Sequence, residues 1–299
     1  MVGEKRHQIA VRIAQKLRDA NVGSEIVELL PTDPAVLRRD RIVAALALIF
    51  LSALAWGYLL WLSADMRMGG MDMSDFRMIP SGMGLMVPAH TSWPAIEFAF
   101  VLAMWTVMMV GMMTPSAAPM ILMYARVGRS TQAQGAPFGA TAYFAIGYFV
   151  VWAAFSLFAT LTQWALERAG LLDAAMASTS SLVGGVIFVA AGSYQWTRLK
   201  GICLAQCQMP FAFLIRHGGF RRDAPGALML GLRYGAYCVG CCWMLMALLF
   251  VGGVMNVLWI GLLALVILLE KVIPWARVAY LDGVVFVAVG AWLLSTATF

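Results

Sequence analysis

Sulfur is the chemistry this sequence concentrates. Fourteen of its 21 methionines lie between Met66 and Met123, and Cys238, Cys241 and Cys242 stand together inside a later apolar run. Thioethers and thiolates are soft ligands, and soft ligands select Cu(I) over hard cations. A thiolate must lose its proton before it binds metal, whereas a thioether has none to lose. Loose exchange suits the methionines and retention suits the cysteines.

The run from 96 to 123 carries Met104, Met108 and Met112 at intervals of four. At helical pitch these three fall within about 80° of one another. Glu97, seven residues before Met104, shares that face. An ionisable group in such a run is a functional candidate, here an entry ligand or a proton acceptor. Taken alone, a methionine face is more often core packing than a ligand set, because the thioether chain fills irregular gaps. Further on, Cys238, Cys242 and Met246 form an i, i+4, i+8 stripe flanked by Cys241. The three thiols span about 100° of a helical wheel. Cys203 and Cys207 make a CxxxC on one helical face, with Met209 and His217 as further candidate ligands. The neighbouring Arg198 and Lys200 are expected to lower the thiol pKa. Met66, Met68, Met71 and Met73, with Asp72, Asp75 and His90, offer another set on a Gly- and Pro-rich loop. No HExxH, P-loop, GxSxG or dinucleotide fingerprint is present, and nothing points to catalysis.

The elements that must position these residues are membrane helices. The chain of 299 residues is 62% hydrophobic and 12% charged, against about 25% charged in soluble domains. Crossing about 30 Å of hydrocarbon takes about 20 apolar residues. Seven runs meet that rule: 42–63, 96–123, 138–163, 181–198, 233–252, 254–270 and 279–297. The reading is all-α and polytopic, with about seven transmembrane helices. Residues 1–40 form a cytoplasmic segment with an amphipathic helix over 4–20, and 41–299 form the membrane domain. Within the latter, 64–95 is a methionine-rich outer loop without regular structure, and 199–224 is a cytoplasmic loop bearing the CxxxC.

With the N-terminus inside, 17 of the 21 Lys and Arg residues fall on the inner side. That bias sets the N-terminus in and the C-terminus out. It also accounts for the net charge of +6 without nucleic acid. Cys203 and Cys207 then face a reducing cytoplasm, so structural disulfides are not expected. Tyr194, Gln195 and Asn256 are suited to hydrogen bonds between helices. Glu270 and Lys271, at the inner end of the sixth run, read as snorkelling residues.

Several strings resemble one bacterial family: LRRDRIV, MWTVMMVGMMTPSAAPMILMYARVGR, GSYQWTRLKGICLAQC, and the long run from GLRYGAYCVGCCWMLM to LLEKVIP. It is domain-of-unknown-function family 2182, described as predicted metal-binding integral membrane proteins. The resemblance covers roughly 37–295 and implies metal binding at the methionine-rich second run and the five cysteines. The combined expectation is a multi-pass protein of the bacterial inner membrane that binds Cu(I) for transport or delivery to a cuproenzyme. Its partners would be the lipid bilayer and a copper donor or acceptor protein. One alternative is a non-catalytic subunit of a larger membrane complex. Another is thiol-disulfide exchange through the CxxC of Cys238 and Cys241.

Overall fold

The computed structural model describes residues 34–68, 76–78, 86–88, 93–130, 137–171, 180–221, 223–273 and 276–297. The amphipathic segment 4–20 lies outside them, as do Met71, Asp72, Met73, Asp75 and His90. In chain order the elements are α1 (Pro34–Met68), β1 (Phe76–Met78), β2 (Met86–Pro88), α2 (Ala95–Ser130), α3 (Pro137–Arg168) and α4 (Ser181–Gln195). They continue as α5 (Arg198–Gln208), α6 (Pro210–Arg216), α7 (Ala224–Ala247), α8 (Leu249–Gly252), α9 (Val257–Val272) and α10 (Ala276–Ala297). The expected irregular loop 64–95 is corrected at its start and in its interior. α1 runs on through Met66 to Met68, and β1 pairs antiparallel with β2 in the register Arg77 to Val87.

Five helical segments are long and apolar enough to cross a membrane: Ile42–Ala64, Ala95–Val127, Gly139–Arg168, Ala224–Gly252 and Val278–Ala297. The other two expected spans are shorter than the apolar runs that suggested them. α4 has 15 residues and α9 has 16, or about 22 and 24 Å of rise. Both are cut by caps rather than by composition. The chain breaks after Gln195, and Thr197 starts α5 by accepting a hydrogen bond from the Lys200 amide. Gly253, at φ 90°, ends α8, and the Asn256 side chain accepts from the Trp259 amide to start α9. Asn256 is therefore a helix cap and not the interhelical bridge expected of it.

α2 packs between α1 and α3, α3 lies along α7, α5 closes on α7, and α4 pairs with α10. Small residues allow the closest of these approaches, as expected where lipid supplies no hydrophobic drive between helices. A Cβ on Gly231 of α7 would collide with the Phe144 carbonyl of α3, and one on Gly290 of α10 would sit 2.8 Å from the Gly185 carbonyl of α4. Pro115 and Pro119 lie inside α2 without ending it. Pro115 has no N–H for the Gly111 carbonyl, and Ser52 of α1 donates to that oxygen at 3.5 Å instead. The buried core runs through α2, α3, α7 and α9, while Leu46, Ile49, Phe50 and Leu54 of α1 are exposed.

Candidate metal centre

α7 begins at an Asp223 cap, whose carboxylate accepts from the Gly226 amide at 2.8 Å. From there the helix presents Cys238, Cys241, Cys242 and Met246 on its buried side, each at most 2% exposed. The break at Thr197 turns α5 so that its CxxxC meets this stripe. Cys203 lies against Gly240, where a Cβ would stand 2.8 Å from its sulfur. Cys207 lies beside the Cys238 and Cys241 thiols. The Cys241 and Cys242 thiols donate to the Cys238 carbonyl at 3.0 and 2.9 Å. Two cysteine motifs some 30 residues apart thus form one buried thiol cluster.

The residues closing the cluster came from outside the sequence-derived set. Lys271 of α9 donates from Nζ to the Cys238 sulfur at 2.9 Å and to Ser116 Oγ of α2 at 3.0 Å. It is buried, so the snorkelling expectation is overturned. Tyr148 of α3 sets its hydroxyl 3.2 Å from the Cys238 sulfur and donates to the Met113 carbonyl at 3.4 Å. Ser116 in turn donates to that same carbonyl at 3.0 Å. The methionine helix and the cysteine helix are not closely packed neighbours. They are joined through Tyr148 and Lys271. An apolar run ending in a lysine was the only signal for Lys271, and Tyr148 had none.

Glu270 points elsewhere and is buried too. Its carboxylate pairs with Lys200 at 2.7 Å and accepts from Gln195 at 2.9 Å. Gln208 donates to its carbonyl at 2.7 Å. Lys200 is therefore committed to Glu270 rather than to the cysteines. Burial, with Cys241 nearby, pushes the Cys203 thiol up instead of down. Gln195 does bridge helices as expected, and Tyr194 donates to the Gly240 carbonyl of α7.

Met104, Met108 and Met112 are all buried, and so are Met109, Met113 and Met120. Glu97, 1% exposed, stands at the far end of this face, about 24 Å by helical rise from Met113. There α2 is tied to α3 by Trp105 donating to Gln163 at 2.7 Å, and Gln163 to Glu167 at 2.9 Å. The structure thus keeps Glu97 and the thiols apart: Glu97 stands at the start of α2, and the thiol cluster meets that helix near its middle, at Met113 and Ser116. Met209 is exposed, and His217 stacks on Phe213 at 4.3 Å, so neither joins the thiol cluster.

The donor set is sulfur, enclosed and shielded from water, which fits a soft monovalent ion. Among the described residues, no group of three or more His, Cys, Asp or Glu side chains has the arrangement to hold a metal. A closed tetrahedral site of the zinc type, with four N or S ligands, is therefore not built here. Low-coordinate binding by paired thiolates is what this cluster offers. No curated protein and no solved structure matches the chain. The model of one family, PpoB2, described as a copper chaperone, matches residues 102–293, nearly two-thirds of the 299 residues, and the chain belongs to that family.

Proposed function

We propose that this protein is a Cu(I) carrier of the bacterial inner membrane, which takes the ion along the methionine face of α2 and holds it at the thiols of α5 and α7. The metal-related class agrees with the resemblance to family 2182, whose number remains a resemblance. A copper-related role follows from the family. Delivery to a cuproenzyme under assembly is our extension of it. The observation that carries the reading is the meeting of Cys207 with Cys238 and Cys241. Two motifs that are unremarkable alone become a ligand set when a helix break brings them together.

In this reading Cu(I) is cargo. A pair of thiolates holds it, Cys238 with either Cys207 or Cys241, and Cys203, Cys242 and Met246 stand at the margin. Glu97 admits it, and Met104, Met108 and Met112 offer thioethers that exchange it without a proton. α4 and α9 complete a seven-span arrangement with the N-terminus inside and the C-terminus outside. Metal content after anaerobic purification with copper supplied tests this. Wild type is expected to retain near-stoichiometric copper, and a variant with Cys238, Cys241 and Cys242 all changed to Ser is expected to lose it. Equal, negligible copper in both would remove the carrier reading and favour a non-catalytic subunit of a membrane complex.

A further inference from the structure

We propose that Lys271 fixes the charge of the thiol site and thereby selects a monovalent soft cation over a divalent one. This rests on the copper-binding reading and deepens it.

The Lys271 ammonium is buried, and its hydrogen bonds go to the Cys238 sulfur and to Ser116. A buried cation needs an anion beside it. Glu270, the next residue in the chain, is already paired with Lys200 and Gln195. The other groups around the ammonium are the Tyr148 hydroxyl and the thiols of Cys241 and Cys242. Cys238 is the group that the geometry sets against the ammonium, and it is a thiolate when it holds metal.

Two thiolates around Cu(I) carry one net negative charge, and the lysine brings the buried assembly to zero. The same two thiolates around a divalent ion are already neutral, so the lysine is left as an uncompensated buried cation. A divalent ion could restore neutrality only by recruiting a third thiolate. Among the described residues no group of three such side chains is arranged for that. Softness alone does not separate Cu(I) from Cd(II); charge does. Lys271 is thus a specificity-determining residue that acts through Cys238.

The test is competition binding on the full chain in detergent, under anaerobic conditions, with Cu(I) and Ag(I) against Cd(II) and Zn(II). Wild type is expected to take Ag(I) and Cu(I) and to discriminate against Cd(II). Lys271→Met is expected to lower the monovalent-to-divalent preference by roughly tenfold or more, the scale of one poorly screened charge. Lys271→Arg, which keeps the charge, is expected to restore the preference. Arg216→Gln, which removes an exposed charge outside the cluster, is expected to leave it unchanged.

A Lys271→Met protein with wild-type preference would overturn the proposal. So would wild type binding Cd(II) as tightly as Ag(I) at the thiols, a result that needs no variant to fold. Failure of wild type to bind either monovalent ion would instead sink the copper reading itself.

Discussion

Lys200 and Glu270 form an ion pair with both side chains almost wholly enclosed, at 1% and 2% exposure. Such a pair adds little stability against an apolar replacement, but removing one partner strands the other charge. Lys200→Met is therefore expected to destabilise the protein by about 3–5 kcal/mol, read as a lowered unfolding temperature in detergent. The double variant with Glu270→Met is expected to recover most of that loss. An unaltered unfolding temperature in the single variant would show that the pair is not holding α5 to α9. The cysteines of the centre were legible in the sequence because their spacing is local and their chemistry rare. Lys271 was not. Its place at the end of an apolar run is what snorkelling also produces, and its partner Cys238 is 33 positions away. Tyr148 is 90 positions from the sulfur it meets, and no local period records such a distance.

For the helices, the residues that periodicity put on one face of α2 and of α7 are buried, but several boundaries differ, α7 beginning at Ala224 rather than at 233. α4 and α9 are short because Thr197 and Asn256 cap new helices inside apolar surroundings. Hydropathy counts side chains and does not see a cap. The break at Thr197 matters most, since a continuous helix would have carried the CxxxC away from α7. The approach of α5 to α7 depends on Gly240, which leaves room for the Cys203 sulfur. Gly240→Ala is expected to push α5 outward and weaken copper retention while the helical content stays as in wild type. Unchanged retention would show that the α5 thiols do not contribute. The methionine face admits a complementary test, because Met-to-Leu exchange keeps volume and usually costs less than about 1.5 kcal/mol. With Met104, Met108 and Met112 all replaced by Leu, the fold and the equilibrium copper content are expected to survive, and copper loading to slow. Loading at the wild-type rate would reduce that face to packing.

Across the whole molecule, five long apolar helices and two short ones leave two arrangements that differ in where the thiol end lies. If α4 and α9 both cross, the segment joining α4 to α7 is on the same side as the N-terminus. If only the five long helices cross, that segment is on the opposite side, and in both cases the two termini are on opposite sides of the membrane. Five of the 21 Lys and Arg residues lie between 198 and 224, and on the proposed orientation the positive-inside rule would put them in the cytoplasm. Arg216, exposed at the end of α6, reports on this directly. The native cysteines are all buried, so Arg216→Cys introduces an accessible thiol. It is expected to resist a membrane-impermeant maleimide in intact spheroplasts and to react in inverted vesicles. Cys207 precedes Arg216 by nine residues, so that result would put the thiol centre toward the cytoplasmic side and Glu97 toward the outer one. Labelling in spheroplasts would instead make α4 a helix that does not cross. It would also reverse the polarity of the copper path, with the thiols as the outer end.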